Sequence, residues 1–559
     1  MASRIEGNQG NVASACILGR VYPRARAERE CHTAADLRTD PRSLQGRTFD
    51  LAVVGGGIQG ASIAREAAMR GARVLLVEAI DFASGTSSRS SRLVHGGLRY
   101  LASGRIGLVR EALAERERLL RLAPHLVRPV PLLLPSFSDL RLPRFARLGV
   151  RLYAALAGRS TLPGPESLSA SDCLASFPGL RSGGLLGGVR FFDAATQDAR
   201  LTLANVRAAA EEGAACCNHC RVVGFRSGSL TMLDAVSGDD VAVNALQVVN
   251  ATGPHVDTVR RILGIDGPPL SRISRGSHLV LPRRRGECGL AAFLPDRRIQ
   301  FAIPHRGGTI CGTTEIDDEL CAEGPSPSSA EIDYILDALA LLMDPAPRRG
   351  DVSFAYAGWR ALPACEGPAG RADRRPALVR ESAGRTVVWS VVGGKLTTHR
   401  SFGERAAKRI LGAAGRSPSR TRPLPGCSGP RDVKSPLWWR HGAEAFSMSD
   451  EIGREPPLGE PLCPHRPFAR VEAVFALREH AAVTFADLML RRLCHEAGPC
   501  LEEGCLRAAH ELFLQHRRWP VDDRADVVIP ALIEELRYET GGIRAPSLSA
   551  TRESHVPGA

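Results

Sequence analysis

With 559 residues, 44% of them hydrophobic and 24% charged, the chain is globular in composition and too long for one compact core. No apolar run approaches the roughly eighteen residues that a membrane-spanning helix needs. The net charge of +13 is carried by arginines scattered among acids, with lysine only at Lys395, Lys408 and Lys434. This disfavours a nucleic-acid surface and leaves a solvated arginine-rich exterior, an anionic substrate or an anionic membrane surface.

Residues 1–46 lack sustained periodicity and mix Arg, Ala and Ser with acids, so they read as a disordered extension rather than an acid-poor transit peptide. From Thr48 the pattern turns periodic. "FDLAVV", Phe49 to Val54, has the length and apolar character of a strand. Gly55, Gly57 and Gly60 follow in G-x-G-x-x-G spacing, "ASIAREAAMRG" continues at helical period, and "RVLLV" forms a second strand closed by Glu78. The first glycine permits the tight turn, the second lets a pyrophosphate approach the backbone, and the third lets helix and strand pack closely. The helix N-terminus offers unpaired N–H groups to phosphate, and Glu78 can accept hydrogen bonds from a ribose diol. This predicts a bound dinucleotide and leaves FAD and NAD both open.

The next segment, "ASGTSSRSSRLVHGGLRYL", brings hydroxyls at Ser84, Thr86, Ser87, Ser88, Ser90 and Ser91, then His95, Gly96 and Gly97. An NAD domain would normally enter its next helix here. Hydroxyls can donate to phosphate and ribityl oxygens, and the glycine pair lets backbone lie flat against a ring, so the loop favours a flavin.

Farther on, "RLPRFARLGVRLYAALAGR", Arg141 to Arg159, places Phe145, Leu148, Leu152 and Leu156 on one helical face beside Arg144, Arg147 and Arg151. Packing on the protein's own core is the expectation for this stripe, and contact with an anionic bilayer is the alternative. "CCNHC", Cys216 to Cys220, is too crowded for a paired metal loop and has no second half at finger spacing. Cys494, Cys500 and Cys505 form a looser group, slightly more suggestive of a metal or redox role but also read as structural. No metal is expected, and the fifteen irregularly spaced cysteines fit a reducing compartment. Thr421 to Pro436 is a Pro/Gly-rich linker, residues 437–545 show helical periodicity, and residues 546–559 form a tail.

The glycine turn and hydroxyl loop, followed in order by "FFDAATQDARLTLAN", "VVNATGPHVD", "SRGSHLVLP", "CGTTEID", "AGWRAL", "VVGGKLTTHR" and "VTFADLMLRR", closely resemble the FAD-dependent glycerol-3-phosphate dehydrogenases of the D-amino-acid-oxidase-like flavoprotein superfamily. The resemblance runs from about Phe49 into the helical C-terminal part. It implies an α/β fold in which a Rossmann-like FAD domain, 47–420, is interleaved with a mixed-sheet substrate domain built from about 126–194 and 271–374, plus a C-terminal helical domain. It implies oxidation of sn-glycerol 3-phosphate to dihydroxyacetone phosphate by hydride transfer from C2 to flavin N5, with quinone as onward acceptor. It further implies a cytoplasmic protein, with peripheral contact at the inner face of an anionic membrane and a homodimer both left open.

By position in these motifs, the FAD contacts are Gly55, Gly57, Gly60, Glu78, Thr86, Ser87, Ser88, His95, Gly96, Gly97, Thr252, Gly253, Gly393, Gly394, Lys395 and Thr397. Arg99, Tyr100, Thr313, Thr314 and Arg380 are assigned to the substrate, since arginine forks match phosphate oxygens. His278 is the candidate for handling the C2 hydroxyl proton, and Arg360 the candidate for stabilising the developing alkoxide. Glu315, Asp318, Trp359 and His399 depart from the usual family residues, and the sequence reading places all four near the substrate. An oxidase of another small substrate such as an amino acid, or a non-catalytic flavin-binding protein, are the competing readings.

Overall fold

The computed structural model describes residues 37–536, apart from 103, 141–145, 283–285, 287, 297, 306–307, 322–323, 365–374, 414, 430, 433, 494–499, 501 and 522. Its centre is a six-stranded sheet in the order Ala377–Ala383, Thr386–Val392, Gln247–Asn250, Leu51–Val54, Val74–Val77, Ala215–Cys217. All neighbours run parallel except the first pair. Strand Leu51–Val54 is buried on both faces, as its unbroken apolar run requires. Leu51 and Val53 face a helical layer with Ile63, Ala67, Val206 and Phe402. Ala52 and Val54 face a four-stranded sheet with Val222, Leu230, Met232 and Val243. Period-two alternation thus produces three layers from one short segment.

The glycine-turn helix, Ile58–Met69, packs between helices Asp198–Glu211 and His399–Leu411. A Cβ at Gly403 would lie 2.4 Å from Ser62 Oγ, so glycine sets the close approach of two of these helices. Ser62 Oγ then donates to the carbonyl of His399 at 2.9 Å.

A second, ten-stranded sheet draws its strands from 93–94, 127–137, 166–168, 185–196, 271–318 and 354–363. Pairing is mostly antiparallel, but Gly289–Phe293 runs parallel to Val127–Phe137, so this sheet is mixed. One face, with Leu133, Leu279, Leu290 and Cys311, packs under helix Ser329–Ala340. The other, with Leu132, Leu134, Phe191 and Ile303, packs under helices Ile106–Leu122 and Ala146–Leu156.

In helix Ala146–Leu156, Val150 and Tyr153 meet the core, whereas Leu148 and Leu152 are 69% and 44% exposed. The stripe expected to pack inward therefore turns partly outward; Phe145 and Arg144 lie outside the described residues. Residues 37–46, assigned by sequence to the extension, are packed: Arg38 pairs with buried Asp234 at 2.5 Å and Leu44 is fully enclosed. Residues 37–46 therefore belong to the fold, where they pack along the edge of the four-stranded sheet; residues 1–36 lie outside the described residues.

The C-terminal part contains helices Pro436–His441, Glu444–Arg454, Arg470–Glu479, Glu503–His516 and Ala525–Leu536 around an apolar core with Met448, Phe468, Leu477, Phe485 and Phe513. It also holds a hairpin, Pro461–Cys463 with Arg466–Ala469, that helical periodicity did not reveal. Buried Asp81 beside the nucleotide-binding sheet accepts from Arg491 at 2.6 Å and from Arg492 at 2.7 and 2.8 Å, tying the two parts together.

Candidate active site

A cavity of about 1100 Å³ runs from the glycine turn, past the hydroxyl loop, to the inner face of the ten-stranded sheet. At its nucleotide end Gly55 has φ +109°, and a Cβ there would lie 2.6 Å from the carbonyl oxygen of Ala251. A Cβ at Gly60 would fall 1.9 Å from the Gly55 carbonyl oxygen. Gly57 caps helix Ile58–Met69, so the helix dipole points into the cavity. Glu78 accepts from the amides of Gly56 and Ile80 at 2.7 and 3.0 Å, one on each oxygen. The second lone pair of each oxygen remains for a ribose diol. Burial pushes the Glu78 carboxyl above its ordinary pKa.

The hydroxyl loop is anchored by its own polar groups. Ser87 Oγ accepts from the amide of Ile58 at 2.9 Å, at the helix N-terminus. Thr86 Oγ1 donates to the Trp359 carbonyl. Buried Asp198 accepts from both the amide and hydroxyl of Ser90, at 3.0 and 2.7 Å. Thr397 Oγ1 accepts from the His95 amide at 3.1 Å, so the two loops expected at the flavin hold each other. The Gly96 amide donates to Tyr153 Oη at 2.7 Å; Tyr153 donates to Asp193, which Arg116 neutralises at 2.7 Å. Sequence reasoning missed this buried chain, because its four residues lie far apart in order and meet only across the fold. Gly393 and Gly394 both have positive φ, +73° and +108°, and Lys395 Nζ lies 3.7 Å from the centre of the Tyr100 ring.

At the other end, strand Ser271–Leu281 carries His278 and its partner Phe354–Pro363 carries Arg360. His278 stacks on Tyr356 with ring centres 4.9 Å apart, and its Nε2 lies 2.8 Å from Ser91 Oγ. Burial first, then the charges of Arg360 and Arg92, push His278 down to about 3, so the imidazole is neutral at physiological pH. Arg360 donates to Thr313 Oγ1 at 2.9 Å and to the Thr314 carbonyl at 3.2 Å. Arg92, which the sequence reading did not select, pairs with His305 at 2.8 Å.

A family model described as FAD dependent oxidoreductase matches residues 50–408. The glycerol-3-phosphate dehydrogenase of Synechocystis is 35% identical over 492 residues, 80% of this chain and 89% of that one. The chain belongs to the FAD-dependent glycerol-3-phosphate dehydrogenase family. The Mycobacterium leprae protein of that name is 35% identical over 480 residues, 80% of each chain. The glycerol-3-phosphate dehydrogenase of Bacillus halodurans, solved in complex with FAD, shares the fold with a TM-score of 0.69 at 24% identity, over 90% of this chain and 98% of that one.

The cavity of this dehydrogenase-family chain fits FAD: the glycine turn leaves no room for side chains, and Glu78 stands at the end of the second strand. Gly55, Gly57, Glu78, Thr86, Ser87, His95, Gly97, Thr252, Gly253, Gly393, Gly394, Lys395 and Thr397 all line it, as do Tyr100, His278, Thr313 and Arg360. Gly60 and Gly96 stand behind it as packing positions.

Four expectations need correction. Arg380 lies on the exposed edge strand opposite Trp389, with its guanidinium 5.9 Å from that ring's centre, and does not reach the cavity. Thr314 is turned inward, where its hydroxyl accepts from the Ser277 amide and donates to Glu331 at 2.6 Å. Ser88 Oγ donates to the Gly85 carbonyl within its own loop and does not line the cavity. His399 is fully buried at a helix start, with Nδ1 2.7 Å from the Leu396 carbonyl and Nε2 3.3 Å from Asn205 Nδ2, away from the substrate end. The Arg99 side chain lies outside the described residues. Trp359 does line the cavity, and its indole N–H donates to Asp318 at 2.8 Å, so two of the family departures are partners.

Proposed function

We propose that the chain oxidises sn-glycerol 3-phosphate to dihydroxyacetone phosphate and passes the electrons to a quinone. The observation that carries this reading is one continuous cavity, with a dinucleotide turn at one end and the Arg360–Thr313–His278 group at the other. The names of the relatives at 35% identity support the same substrate. Bound FAD supplies the hydride acceptor. Arg360 attracts the phosphorylated, anionic substrate and stabilises negative charge as it develops on the C2 oxygen. Thr313, held by Arg360, orients the substrate hydroxyls. Neutral His278 takes up the C2 hydroxyl proton at Nε2, the nitrogen that faces Ser91 Oγ. Burial and the positive neighbours make this imidazole a weak base, but the same positive charge favours the alkoxide, so Arg360 offsets what the ring loses as a proton acceptor. Tyr100 with Lys395, and the Gly393–Gly394 turn, supply positive charge and backbone donors to the flavin edge.

Anaerobic addition of sn-glycerol 3-phosphate to the purified flavoprotein should bleach its visible absorbance. Unchanged absorbance, with bleaching by an amino acid instead, would select the oxidase alternative.

We also infer peripheral contact with an anionic membrane through Leu148 and Leu152, one helical turn apart and beside exposed Arg151. No helix among the described residues is long and apolar enough to cross a membrane. Sedimentation with phosphatidylglycerol vesicles should be reduced by Leu148→Glu and Leu152→Glu; equal sedimentation would reject this contact.

A further inference from the structure

The C-terminal hairpin and the helix packed beside it bring four metal-ligand side chains to one point, none of which lines the flavin cavity. Cys463 ends the first hairpin strand and His465 sits in the turn that follows. Cys500 precedes helix Glu503–His516, and Cys505 lies in its first turn. One ligand atom from each falls within 4.8 Å of all the others. His465 Nδ1 is 3.4 Å from Cys500 Sγ and 3.5 Å from Cys505 Sγ. All the cysteines in this group are free thiols rather than disulfides.

These separations have a simple geometric meaning. A zinc ion with bonds of about 2.3 Å to sulfur and about 2.0 Å to nitrogen places S···N tetrahedron edges at about 3.5 Å. The two S···N distances from His465 match that edge, and the remaining ligand atoms lie within 4.8 Å of one another. The ligands pair by sequence, with one residue between Cys463 and His465 and four between Cys500 and Cys505. One pair comes from a hairpin turn and the other from a helix start, an arrangement that backbone geometry holds before any ion arrives.

The charge balance is also favourable. Three thiolates, a neutral imidazole and a divalent ion carry one net negative charge. The N-terminus of helix Glu503–His516 faces it with the positive end of its dipole. Arg466, in the same hairpin, has a buried Nε with no hydrogen-bond partner. Leu462, Phe468, Met489, Leu506 and Ala509 line the inner side of the cluster with apolar surface, while His465 closes it from the exposed side.

We propose that Cys463, His465, Cys500 and Cys505 bind one zinc(II) ion in a closed, structural tetrahedral site. Binding releases the three thiol protons to solvent and changes no oxidation state. Four protein ligands leave no open position for substrate, which assigns the ion to pinning the hairpin against the helix rather than to catalysis. Thiolate-rich tetrahedral sets select zinc over hard cations. The absence of metal expected from sequence is thereby revised: the cysteine spacing alone could not show that Cys463 and His465 fold onto Cys500 and Cys505. Cys494 lies outside the described residues.

The other such cluster among the described residues, Asp81, His219 and Asp487, makes a useful contrast. Its carboxylates are already neutralised by Arg491 and Arg492, so it is a salt-bridge network and needs no cation.

The test is metal analysis of the full-length flavoprotein, purified without chelator or immobilised metal. One zinc per chain is expected, unaffected in the control Cys427→Ser and reduced at least tenfold in Cys463→Ser and Cys505→Ser that still hold FAD. Should those variants fail to fold, the wild-type protein decides. Zinc displaced by a mercurial and replaced by cobalt(II) should give the intense visible absorption of tetrahedral thiolate coordination. Wild-type protein with neither bound zinc nor that cobalt spectrum, or with a disulfide between Cys500 and Cys505 by non-reducing mass spectrometry, would overturn the proposal. So would full zinc retention in both serine variants.

Discussion

Arg360 lays its guanidinium across Gly276: a Cβ at residue 276 would lie 2.0 Å from Arg360 Nη2. The two residues stand near one another on paired antiparallel strands, and the missing side chain of one provides the resting place of the other. Because the clashing atom is the end of a flexible side chain, Gly276→Ala should fold and retain FAD while displacing the guanidinium. A misplacement of about 1 Å at a catalytic group costs on the order of 100-fold. The expected outcome is a fall of that size in kcat/KM for sn-glycerol 3-phosphate, with an unchanged flavin spectrum.

Gly60→Ala should act at the opposite end of the cavity. Its Cβ would meet backbone, the Gly55 carbonyl oxygen at 1.9 Å, which cannot step aside as a side chain can. The helix must therefore withdraw from the turn, and phosphate loses its N–H donors. FAD affinity should drop at least tenfold, equivalent to about 1.4 kcal/mol, read as flavin retained after gel filtration.

Acid should destabilise the fold earlier than carboxylate titration alone would. Burial is the first cause that pushes His125, His278 and His480 down to about 3 and His399 and His441 down to about 4. His441 shows how a neutral ring is held: Nδ1 lies 2.9 Å from Arg200 Nη2, while Nε2 lies 2.7 Å from Glu472. Each folded value lies below the ordinary 6.5, so the unfolded chain binds more protons between those limits. The contribution is fully present above about pH 6.5 and is lost as pH falls toward 4, by about 1.4 kcal/mol per pH unit for each histidine. Urea midpoints should hold from pH 7.5 to about 6.5 and then decline toward pH 5; a flat profile down to pH 5 would contradict the burial of these rings.

Asp81→Asn should loosen the C-terminal part from the nucleotide-binding sheet. The carboxylate is wholly buried between Arg491 and Arg492, and its loss leaves buried Arg492 facing a neutral amide while Arg491 keeps only Asp487. Removing one partner of a buried ion group costs about 3–5 kcal/mol. Thermal unfolding should show a lowered first transition, with FAD still bound at ambient temperature.

Local signals made the nucleotide end legible. The run from Phe49 to Glu78 contains a strand, a glycine turn, a helix and a second strand in uninterrupted order, so sequence spacing and spatial spacing coincide. The substrate end depends on pairing between distant strands, and there a motif places a residue on a strand but not on a face. Arg380 shows this: alternation along the edge strand sent it to Trp389 rather than to the cavity. Thr314 and Thr313 differ in the same way, neighbours in sequence with hydroxyls directed to Glu331 and Arg360. His399 stood in a family motif yet serves to start a helix. The helical reading of the C-terminal part passed over the hairpin at 461–469, whose strands are too short to express period-two alternation.

The central sheet sets a schedule for synthesis. Its strand from residues 51–54 lies beside 247–250, which lies beside 386–392. A nascent chain leaving the ribosome therefore holds its glycine turn for most of translation without the neighbours that complete the bed. Sequences from two separate stretches of the larger sheet are interposed meanwhile, so early loop closures are long and slow. The residues that line the flavin end run from Gly55 to Thr397, so the bed is complete only when nearly three quarters of the polypeptide has been made.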